Sequence, residues 1–345
     1  MSAIGAAGAT ATNRRWTLAR IPAGAPRDDD FALDEAPAAP PGDGEVALAT
    51  VYVSVDPYQR NWMAGGGNYG AAAVPGATVI GRAIGVVVAS RAPGYAPGDC
   101  VVANTGWQTA PVAAATSVER IDRALGPLPA WLSVLGSTGL TAWVGMTDIG
   151  RPQTGETVVV SAAAGAVGSV AGQLARMAGA RVVGVAGAPD KCARVVSELG
   201  FDACVSHRDP DLGAALARAC PEGVDVYFDN TGGRVSDAVM RLIVRDARIA
   251  LCGLVAEYGA GAHGHDFRPL LANQALVRGF SVRRNLHRMA EYRALAADRI
   301  RSGDLRHHED IVDGFERVPE HFRALLDGRT IGKALVRVAA EPAPR

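Results

Sequence analysis

Two glycines and a lysine in the middle of the chain are the residues whose spacing suggests chemistry. Gly165 and Gly168 lie in a run of small residues between the β-branched segment 157–160 and a helical pattern that stops at Gly179. A strand, a glycine turn and a helix in this order are typical of a dinucleotide site, because free amides at the helix N-terminus attract a pyrophosphate. Gly165 would let the backbone approach the phosphates, and Gly168 would let the helix pack against the strand. Ala163 replaces the first glycine of the usual triplet, so an ordinary βα turn stays open as the alternative.

The segment after this unit indicates which dinucleotide would bind. The next predicted strand, 181–186, is followed by Gly187-Ala188 and lacks the acidic residue that usually binds the ribose hydroxyl of NAD. Lys191 then lies in the first turn of a helix, where a cation opposes the helix dipole unless an anion lies nearby. The combination favours NADP(H). The alternative for Lys191 is a solvated lysine paired with Asp190.

Composition excludes several classes of function. The 345 residues contain 35 Lys plus Arg and 35 Asp plus Glu, so no net field points to nucleic acid or to a membrane surface. Five scattered cysteines form no CxxC pair, which is typical of reduced thiols in the cytosol. The N-terminal segment lacks the features of a signal peptide, and no apolar run reaches membrane-spanning length. We therefore expect a cytoplasmic protein that binds neither nucleic acid nor a membrane.

The order of the predicted elements divides the chain into two domains. Residues 1–13 are expected to be a disordered tail, and residues 14–130 contain short, closely spaced strands that predict a mostly β, barrel-like domain. Across 131–305 strands alternate with helices, which predicts one doubly wound sheet of six parallel strands, a Rossmann domain. The final strand, 333–338, has no place in that sheet, so residues 306–345 are assigned to the β domain. The predicted fold class is α/β.

The pattern also gives positions for the later elements of the Rossmann domain. We predict strands at 203–206, 224–228, 248–252 and 277–282, and helices at 139–147, 211–219, 235–243 and 287–302. The sixth strand would lie at an edge of the sheet.

Several motifs together resemble one known family. They read VSVDPYQRNWM, GSTGLTAW, SAAAGAVGSVAGQLARMAGARVVGVAGAPDK, LGFDA, VDVYFDNTGG and ALCGLVAEY, with a closing GK before the last strand. Over nearly the whole chain after the tail, the sequence resembles the zinc-independent medium-chain dehydrogenases/reductases, and more narrowly the prostaglandin, curcumin and alkenal double-bond reductases. The resemblance implies NADPH-dependent reduction of the carbon–carbon double bond of α,β-unsaturated ketones and aldehydes. It also implies a GroES-like β domain and a homodimer that pairs through the edge strand at 276–282 of the Rossmann sheet.

The resemblance implies cofactor contacts at the positions that match the family's motifs. Gly165, Ala166, Val167 and Gly168 correspond to the phosphate turn, and Lys191 corresponds to the lysine that binds the 2′-phosphate. The nicotinamide side would be formed by Cys252, Gly253, Leu254, Val255 and Tyr258, and by Phe280, Ser281 and Val282. His207, where the family often has tyrosine, Thr330, where it has asparagine, and Asn230 complete the set. The alternative for Asn230 is an Asx turn before 232–233. We call residues 252–258 the nicotinamide-side loop.

Two tyrosines are the candidate catalytic residues. Tyr258 ends the nicotinamide-side loop, and Tyr58 lies in the Asp-Pro-Tyr motif of the β domain. Hydride transfer to the β-carbon of an enone produces an enolate, and a neutral phenol can stabilise its oxygen by donating a hydrogen bond. The alternatives are that Tyr58 is a packed interdomain residue and that Tyr258 only forms a wall of the cofactor site. Gln59 replaces the family's usual methionine, which would make the substrate pocket more polar.

No metal is expected. Gly81-Arg82-Ala83 stands where zinc members of the superfamily carry Gly-His-Glu, and the four-cysteine lobe of those members is missing. His263 and His265 flank Gly264 without a thiolate or a third histidine nearby, which is too few ligands for zinc. Activity is therefore expected to survive chelation.

Two other functions stay open at this point. A quinone oxidoreductase would share the glycine turn and the missing metal, although such enzymes usually lack the combination of Asp-Pro-Tyr with Cys-Gly and a tyrosine. An NADPH-binding protein without turnover is the third possibility. An assay of NADPH oxidation against alkenals, enones and quinones separates the three.

Overall fold

The computed structural model describes residues 12–65, 73–258 and 264–343. The chain divides into two compact units. Unit 1 comprises Met1–Arg123, Ile311–Leu326 and Leu335–Arg345, and unit 2 comprises Ala124–Asp310 and Asp327–Ala334. Most of the expected N-terminal tail lies outside the described residues. Its last two residues, Thr12 and Asn13, belong to the first strand and are not a tail.

Strands dominate the chain up to residue 120, and helices alternate with strands after it. The strands are β1 (Thr12–Leu18), β2 (Phe31–Pro37), β3 (Glu45–Ser54), β4 (Ala83–Ser90), β5 (Cys100–Ala103), β6 (Val112–Ala114), β7 (Val118–Arg120), β8 (Thr157–Ser161), β9 (Arg181–Ala186), β10 (Ala203–Ser206), β11 (Val224–Asp229), β12 (Ile243–Leu251), β13 (Leu276–Gly279), β14 (Glu309–Asp313) and β15 (Lys333–Arg337). The α-helices are α1 (Pro57–Met63), α2 (Ser137–Val144), α3 (Gly168–Met177), α4 (Pro189–Leu199), α5 (Leu212–Ala219), α6 (Gly233–Met240), α7 (Arg268–Asn273), α8 (Met289–Ser302) and α9 (Val318–Leu326).

Strand β3 is the centre of the β domain. It pairs antiparallel with β4, β6 and β15, and β4 continues through β5 to β7. The whole sheet has the order β14-β15-β3-β4-β5-β7, with β6 beside β3, and β1 and β2 form a separate hairpin-like pair. Val46, Leu48, Val87 and Val101 are buried on one face of this sheet and form its core. The last strand of the chain, β15, thus pairs with β3 and takes no part in the parallel sheet.

Unit 2 contains a six-stranded sheet in the order β10-β9-β8-β11-β12-β13. All neighbouring strands are parallel. The residues of β8 are all buried. Such burial is expected for a strand covered on both faces of a parallel sheet, which requires a nearly continuous apolar run. The chain leaves β8 towards one side of the sheet and returns to its other side at β11, so the carboxyl ends of these two strands flank a switch point where ligands bind in such folds. The predicted α/β class, with a doubly wound six-stranded sheet and a mostly β second domain, is confirmed.

Several of the predicted element boundaries are wrong. The helix expected at 235–243 is α6, which ends at Met240, and Ile243 instead begins β12 well before the predicted start at 248. The β-branched pair Ile243-Val244 favours the extended backbone. Helix α8 begins at Met289, two residues later than expected, because a 3-10 turn occupies Val282–Arg288.

The edge strand β13 is shorter than predicted, and its neighbour explains why. It spans Leu276–Gly279, whereas the sequence pattern extends to 282. Among the described strands its only neighbour is β12, and their last pair is Leu251 with Gly279. Strand β12 ends at Leu251, whose carbonyl oxygen still accepts from the Phe280 amide (3.4 Å), and no further pair of residues follows in the described sheet. Phe280, Ser281 and Val282 therefore follow the strand and do not belong to it.

Candidate functional site

The predicted phosphate turn connects β8 to α3 in unit 2. Ala162 has a positive φ of 49°, which turns the chain sharply after the strand. A β-carbon on Gly168 would lie 2.4 Å from the carbonyl oxygen of Ala162, and one on Gly165 would lie 3.1 Å from the same atom. Gly168 is therefore obligatory for the close approach of helix and strand. The N-cap residue of α3 is Val167, whose side chain makes no hydrogen bond to the first turn of the helix. The amides of that turn are therefore not occupied by a capping side chain.

The segment 327–334, which belongs to unit 2, lies against this turn. The Gly332 amide donates to the carbonyl oxygen of Ala164 (2.7 Å), and Gly165 and Gly332 form an isolated parallel bridge. Thr330, the predicted cofactor residue of this segment, is buried. The Ile331 amide donates to Asp310 Oδ2 (2.9 Å). The structure thus brings Thr330 to the same edge of the sheet as the glycine turn.

Lys191 is buried, in contrast to the alternative of a solvated lysine. It lies in the first turn of α4 and keeps 7% of its surface exposed. Its ammonium donates hydrogen bonds to the carbonyl oxygens of Gly328 and Thr330. Burial lowers the pKa of Lys191, and the nearby carboxylates of Asp190 and Asp310 oppose that shift. The lysine thus holds a positive charge in place beside a segment that also contacts the phosphate turn.

His207 follows β10 and lies near the end of the neighbouring strand β9. Its amide donates to the carbonyl oxygen of Ala186 (2.9 Å), and its Nε2 lies 3.3 Å from the position that a β-carbon on Gly187 would occupy. Burial lowers the pKa of His207, and the positive charge of Arg208 lowers it further. The imidazole is therefore neutral at pH 7, as a group that stacks or accepts a hydrogen bond should be.

The turn after β11 is organised by Asp229, a residue that sequence reasoning missed. Asp229 Oδ1 accepts hydrogen bonds from the amides of Thr231 and Gly232 and from the hydroxyls of Tyr227 and Ser161. The Asx turn proposed for Asn230 is therefore formed by its neighbour. Asn230 instead donates through Nδ2 to the carbonyl oxygen of Ser161 (2.7 Å), at the end of β8. An acid at the end of the apolar strand VDVYFD was the signal available in the sequence.

The nicotinamide-side loop packs on that turn. The amides of Cys252 and Gly253 donate to the backbone carbonyl oxygen of Asp229. The Val255 and Ala256 amides donate to the backbone carbonyl oxygens of Asn230 and Thr231, respectively. The Leu254 side chain lies beside Gly232, where a β-carbon would come within 2.7 Å of its Cδ2. Burial raises the pKa of Cys252 to about 12, with the Asp229 carboxylate acting in the same direction, so this thiol stays protonated and unreactive.

Tyr258 closes the nicotinamide-side loop and folds back towards its start. It follows a 3-10 turn at Val255–Glu257. Its hydroxyl oxygen lies 3.5 Å from the position that a β-carbon on Gly253 would take. The phenol therefore lies at the carboxyl end of β12, next to the turn after β11.

Phe280, Ser281 and Val282 follow the edge strand β13. The Phe280 ring packs against Phe228 at a centroid distance of 6.2 Å in an edge-to-face arrangement. A β-carbon on Gly145 would lie 2.8 Å from the Phe280 ring, so this glycine makes room for the ring. Ser281 caps the following 3-10 turn by accepting from the Arg283 amide (3.4 Å). Val282 is the first residue of that turn.

Tyr58 belongs to unit 1, in the first turn of α1. The helix starts at a capping box in which the Asp56 amide donates to Gln59 Oε1 (2.8 Å). Gln59 is fully buried, and its Nε2 donates to the carbonyl oxygen of Ile80 (2.6 Å). The expectation that Gln59 makes a substrate pocket more polar is therefore wrong, since its amide is used inside the fold. The capping box fixes the helical segment that carries Tyr58.

The described residues contain no group of three or more His, Cys, Asp or Glu side chains with the arrangement of a metal site. His263 lies outside the described residues, and His265 contacts Asp237 and Glu257. Within 12–65, 73–258 and 264–343, no helix combines the length and the apolar character needed to cross a bilayer.

Comparison with protein families gives two matches. Residues 14–121 match the family described as the N-terminal domain of oxidoreductase, and residues 166–300 match the family described as zinc-binding dehydrogenase. The second description names zinc, although the described part of this chain offers no such ligand set.

Three relatives extend over almost the entire chain. The NADPH-dependent curcumin reductase of Escherichia coli is 40% identical over 95% of this chain and 98% of the relative. The NADP(+)-dependent 2-alkenal reductase of Nicotiana tabacum is 34% identical over 96% and 98%, and prostaglandin reductase 1 of Bos taurus is 34% identical over 94% and 98%.

Two solved structures share the fold closely. CurA from Vibrio vulnificus is 36% identical with a TM-score of 0.89, and the alignment covers 95% of this chain and 99% of that chain. The structure of CurA in complex with NADPH gives the same identity and TM-score, with 95% and 100% covered.

Proposed function

The chain belongs to the medium-chain dehydrogenase/reductase family, within the group of curcumin, alkenal and prostaglandin reductases, and from this premise we propose that it is an NADPH-dependent reductase of α,β-unsaturated ketones and aldehydes. The curcumin and alkenal reductases are NADP-dependent by name, and one of the similar structures holds NADPH. The observation in this chain that supports the proposal best is the buried ammonium of Lys191 beside a glycine turn.

The residues present fit NADP(H). The close approach of α3 to β8 depends on glycine at 168, and we propose that the amides at the N-terminus of this helix bind the pyrophosphate. Lys191 has three N–H donors, and two of them are used by the carbonyl oxygens of Gly328 and Thr330. The remaining N–H and the positive charge of the ammonium suit a 2′-phosphate. Between β9 and Lys191 the chain has one acidic residue, Asp190, and Asp310 is the other carboxylate near the ammonium.

When bound, NADPH supplies a hydride to the β-carbon of the substrate. We assign to Tyr258 the donation of a hydrogen bond to the substrate carbonyl oxygen, which becomes the enolate oxygen as the hydride arrives. A phenol is suited to this role because it stays neutral at pH 7 and its donor strength matters most where negative charge develops. The enolate then takes a proton at the α-carbon from water or tyrosine, so that one hydride and one proton complete the saturated product.

Tyr58 is the second proposed donor. Its support is the match of Asp-Pro-Tyr to the family motif together with the rigid capping box at the start of α1. Unit 1 carries Tyr58 and unit 2 carries Tyr258.

A homodimer is proposed from the free edge of the parallel sheet. Strand β13 pairs with β12 on one side, and its other side faces no strand of the described chain. Leu276 and Val277 on this strand are 55% and 37% exposed. An exposed apolar edge strand invites pairing with a second copy, which would continue the sheet. The five free cysteines support the proposed location in the cytosol.

One assay tests the proposed function. Purified protein is mixed with NADPH or NADH and a 2-alkenal, a cyclic enone or a quinone, and oxidation of the cofactor is followed by absorbance. We expect turnover with the alkenal and the enone, a strong preference for NADPH, and a product whose NMR spectrum shows a saturated Cα–Cβ bond and an intact carbonyl. Turnover with the quinone alone would indicate a quinone oxidoreductase. Binding of NADPH without turnover of any acceptor would contradict an enzymatic role.

A further inference from the structure

His265 lies between two carboxylates in unit 2. Its Nδ1 is 3.1 Å from Asp237 Oδ1, and its Nε2 is 3.3 Å from Glu257 Oε1. Asp237 is a residue of α6, and Glu257 ends the 3-10 turn of the nicotinamide-side loop immediately before Tyr258. The imidazole thus bridges a helix and the loop that carries the proposed catalytic tyrosine.

The protonation state of this histidine follows from its partners. An ionised carboxylate can only accept hydrogen bonds, so a ring nitrogen that faces one must carry a proton. Both nitrogens of His265 face carboxylate oxygens, and both contacts are satisfied together only by the imidazolium. Partial burial lowers the pKa of His265, but the hydrogen bonds and charges of Asp237 and Glu257 outweigh it and raise the pKa overall. Asp266, the next residue, pairs with Arg268 instead.

Glu257 connects His265 to the nicotinamide-side loop. Its Oε1, the atom that contacts His265, also lies 3.2 Å from the Gly233 amide at the start of α6. The Glu257 side chain is 13% exposed, so its position is largely set by these contacts. The start of this 3-10 turn is held by the amides of Val255 and Ala256, which donate to the carbonyl oxygens of Asn230 and Thr231 in the turn after β11. Tyr258 follows directly, and its orientation depends on where the Glu257 backbone lies.

We propose that His265 is a positioning residue, which bridges Asp237 and Glu257 and thereby fixes Tyr258 for hydrogen-bond donation to the substrate carbonyl. This inference rests on the proposed function, because it assigns His265 a task only if Tyr258 acts in the reaction. His265 itself does not touch the reacting atoms. Its contribution is the precision with which the phenol is held, and small displacements of a catalytic group lower the rate strongly.

The sign of the pH dependence follows from the raised pKa. The bridge is complete below the pKa of His265 in the folded protein and is lost as the pH rises through it. Loss of the proton leaves at least one carboxylate facing a ring nitrogen that no longer donates. Turnover should therefore fall on the alkaline side of that pKa, while the affinity for NADPH should change little.

The test compares three variants with the wild-type enzyme in steady-state assays on a 2-alkenal, from pH 6 to pH 9. His265→Gln should lower kcat by roughly tenfold with a similar KM for NADPH, since the loss comes from misplacement of a catalytic group. His265→Arg keeps a cation that donates to both carboxylates and does not titrate in this range. It should restore most of the turnover and remove the alkaline fall. Asp266→Asn is the matched control, because it changes a charge at the next residue without touching the bridge, and its profile should equal that of the wild type.

A double variant decides whether His265 acts through Tyr258. In a Tyr258→Phe background, His265→Gln should cause little further loss of kcat, because the phenol that it positions is already missing. Full multiplication of the two losses would overturn the inference, and so would a His265→Gln enzyme with wild-type kcat and pH profile. A His265→Gln enzyme that loses only thermal stability and NADPH affinity would also overturn it, because that result would indicate a purely structural role for His265. A wild-type protein that does not reduce the 2-alkenal would instead contradict the proposed function itself.

Discussion

The ammonium of Lys191 donates a hydrogen bond to the carbonyl oxygen of Thr330, which lies 139 residues later in the chain. Both residues are proposed cofactor contacts, and the structure brings them into direct contact. A second bond, to the carbonyl oxygen of Gly328, holds the ammonium in place. The charge that we assign to 2′-phosphate recognition is thus oriented by backbone carbonyls before any phosphate arrives, and the segment 327–334 is tied to α4 by the same bonds.

Replacement of Lys191 by alanine should discriminate between the two cofactors. Lys191→Ala removes a charge-assisted hydrogen bond to the 2′-phosphate, which is worth about 1.5–3 kcal/mol, so KM for NADPH should rise roughly tenfold to a hundredfold. KM for NADH, which lacks that phosphate, should hardly change. Steady-state kinetics with both cofactors check this prediction.

Arg194→Ala is the control for Lys191. Arg194 lies one turn later on α4, and its guanidinium pairs with Glu198 at 2.9 Å. Its removal deletes a neighbouring positive charge without touching the carbonyls of segment 327–334, so both KM values should stay close to wild type. An equal loss with NADPH and NADH in the Lys191 variant would contradict the assignment of Lys191 to the phosphate.

Gly168→Ala should affect both stability and cofactor binding. The added β-carbon would lie 2.4 Å from the backbone oxygen of Ala162, which cannot move aside as a side-chain end can. Overpacking of this kind costs about 1–3 kcal/mol, so Tm should fall, and the displaced helix N-terminus should raise the Kd for NADPH. Thermal unfolding and isothermal titration calorimetry measure the two effects.

Gly172→Ala separates these effects. Gly172 lies one turn further along α3, where a β-carbon would come within 1.8 Å of the Phe201 ring. This substitution should lower Tm through the same overpacking, but it should leave the Kd for NADPH unchanged. If Gly168→Ala destabilised the protein and still bound NADPH like the wild type, the glycine turn would be a packing feature alone.

Tyr258→Phe tests the proposed chemistry. The substitution keeps the ring and removes the hydroxyl, so the enolate oxygen loses one hydrogen-bond donor. Loss of such a donor costs on the order of 3 kcal/mol of transition-state stabilisation, or roughly a hundredfold in kcat. The Kd for NADPH should change little. Turnover of a 2-alkenal is measured under conditions in which the hydride step limits the rate, as shown by an isotope effect with deuterated NADPH.

Tyr58→Phe is paired with this variant. Tyr58→Phe should likewise lower kcat on a 2-alkenal with little change in the Kd for NADPH, and an unchanged kcat would contradict Tyr58 as a donor. An unchanged kcat in Tyr258→Phe would assign the stabilisation of the enolate to other groups, such as the cofactor ribose hydroxyls and water.

Val277→Lys should disrupt the proposed dimer. Val277 is 37% exposed on β13, and a lysine at a sheet edge blocks strand pairing by its charge. Light scattering coupled to size exclusion should give the mass of two chains for the wild type and of one chain, 35.6 kDa, for the variant. Val88→Lys, at a position 49% exposed on β4 in unit 1, is the control and should leave the dimer intact. A wild-type protein that elutes as a monomer at micromolar concentration would contradict the assembly.

The parts of the fold that depend on local sequence could be predicted from it. The turn from β8 to α3 and the helix that starts at Pro189 rest on glycine, proline and β-branched residues within a few positions of one another. The end of β13 could not be predicted in this way. Its last residue, Gly279, is set by the point at which a different strand, β12, stops offering partners.

The same distinction holds for the candidate site. Lys191 could be recognised from its place after an acid-free strand end, but its burial could not, because its acceptors lie 137 and 139 residues away. Asp229 and Asn230 are adjacent polar residues, and only the pairing of β11 with β8 decides which of them forms the turn. His265 belongs to no motif, and its partners are 8 and 28 residues distant in the chain.

The carboxylate of Asp229 has a consequence for the thermodynamics of ligand binding. Its Oδ1 atom accepts hydrogen bonds from Tyr227, Ser161, Thr231 and Gly232. The backbone carbonyl oxygen of Asp229 accepts from the first two amides of the nicotinamide-side loop. All of these bonds lie within the chain, so the backbone at the carboxyl ends of β8, β11 and β12 is already ordered without help from a ligand. A dinucleotide that binds there does not have to order this backbone. The conformational entropy lost on binding is therefore mainly that of the dinucleotide itself.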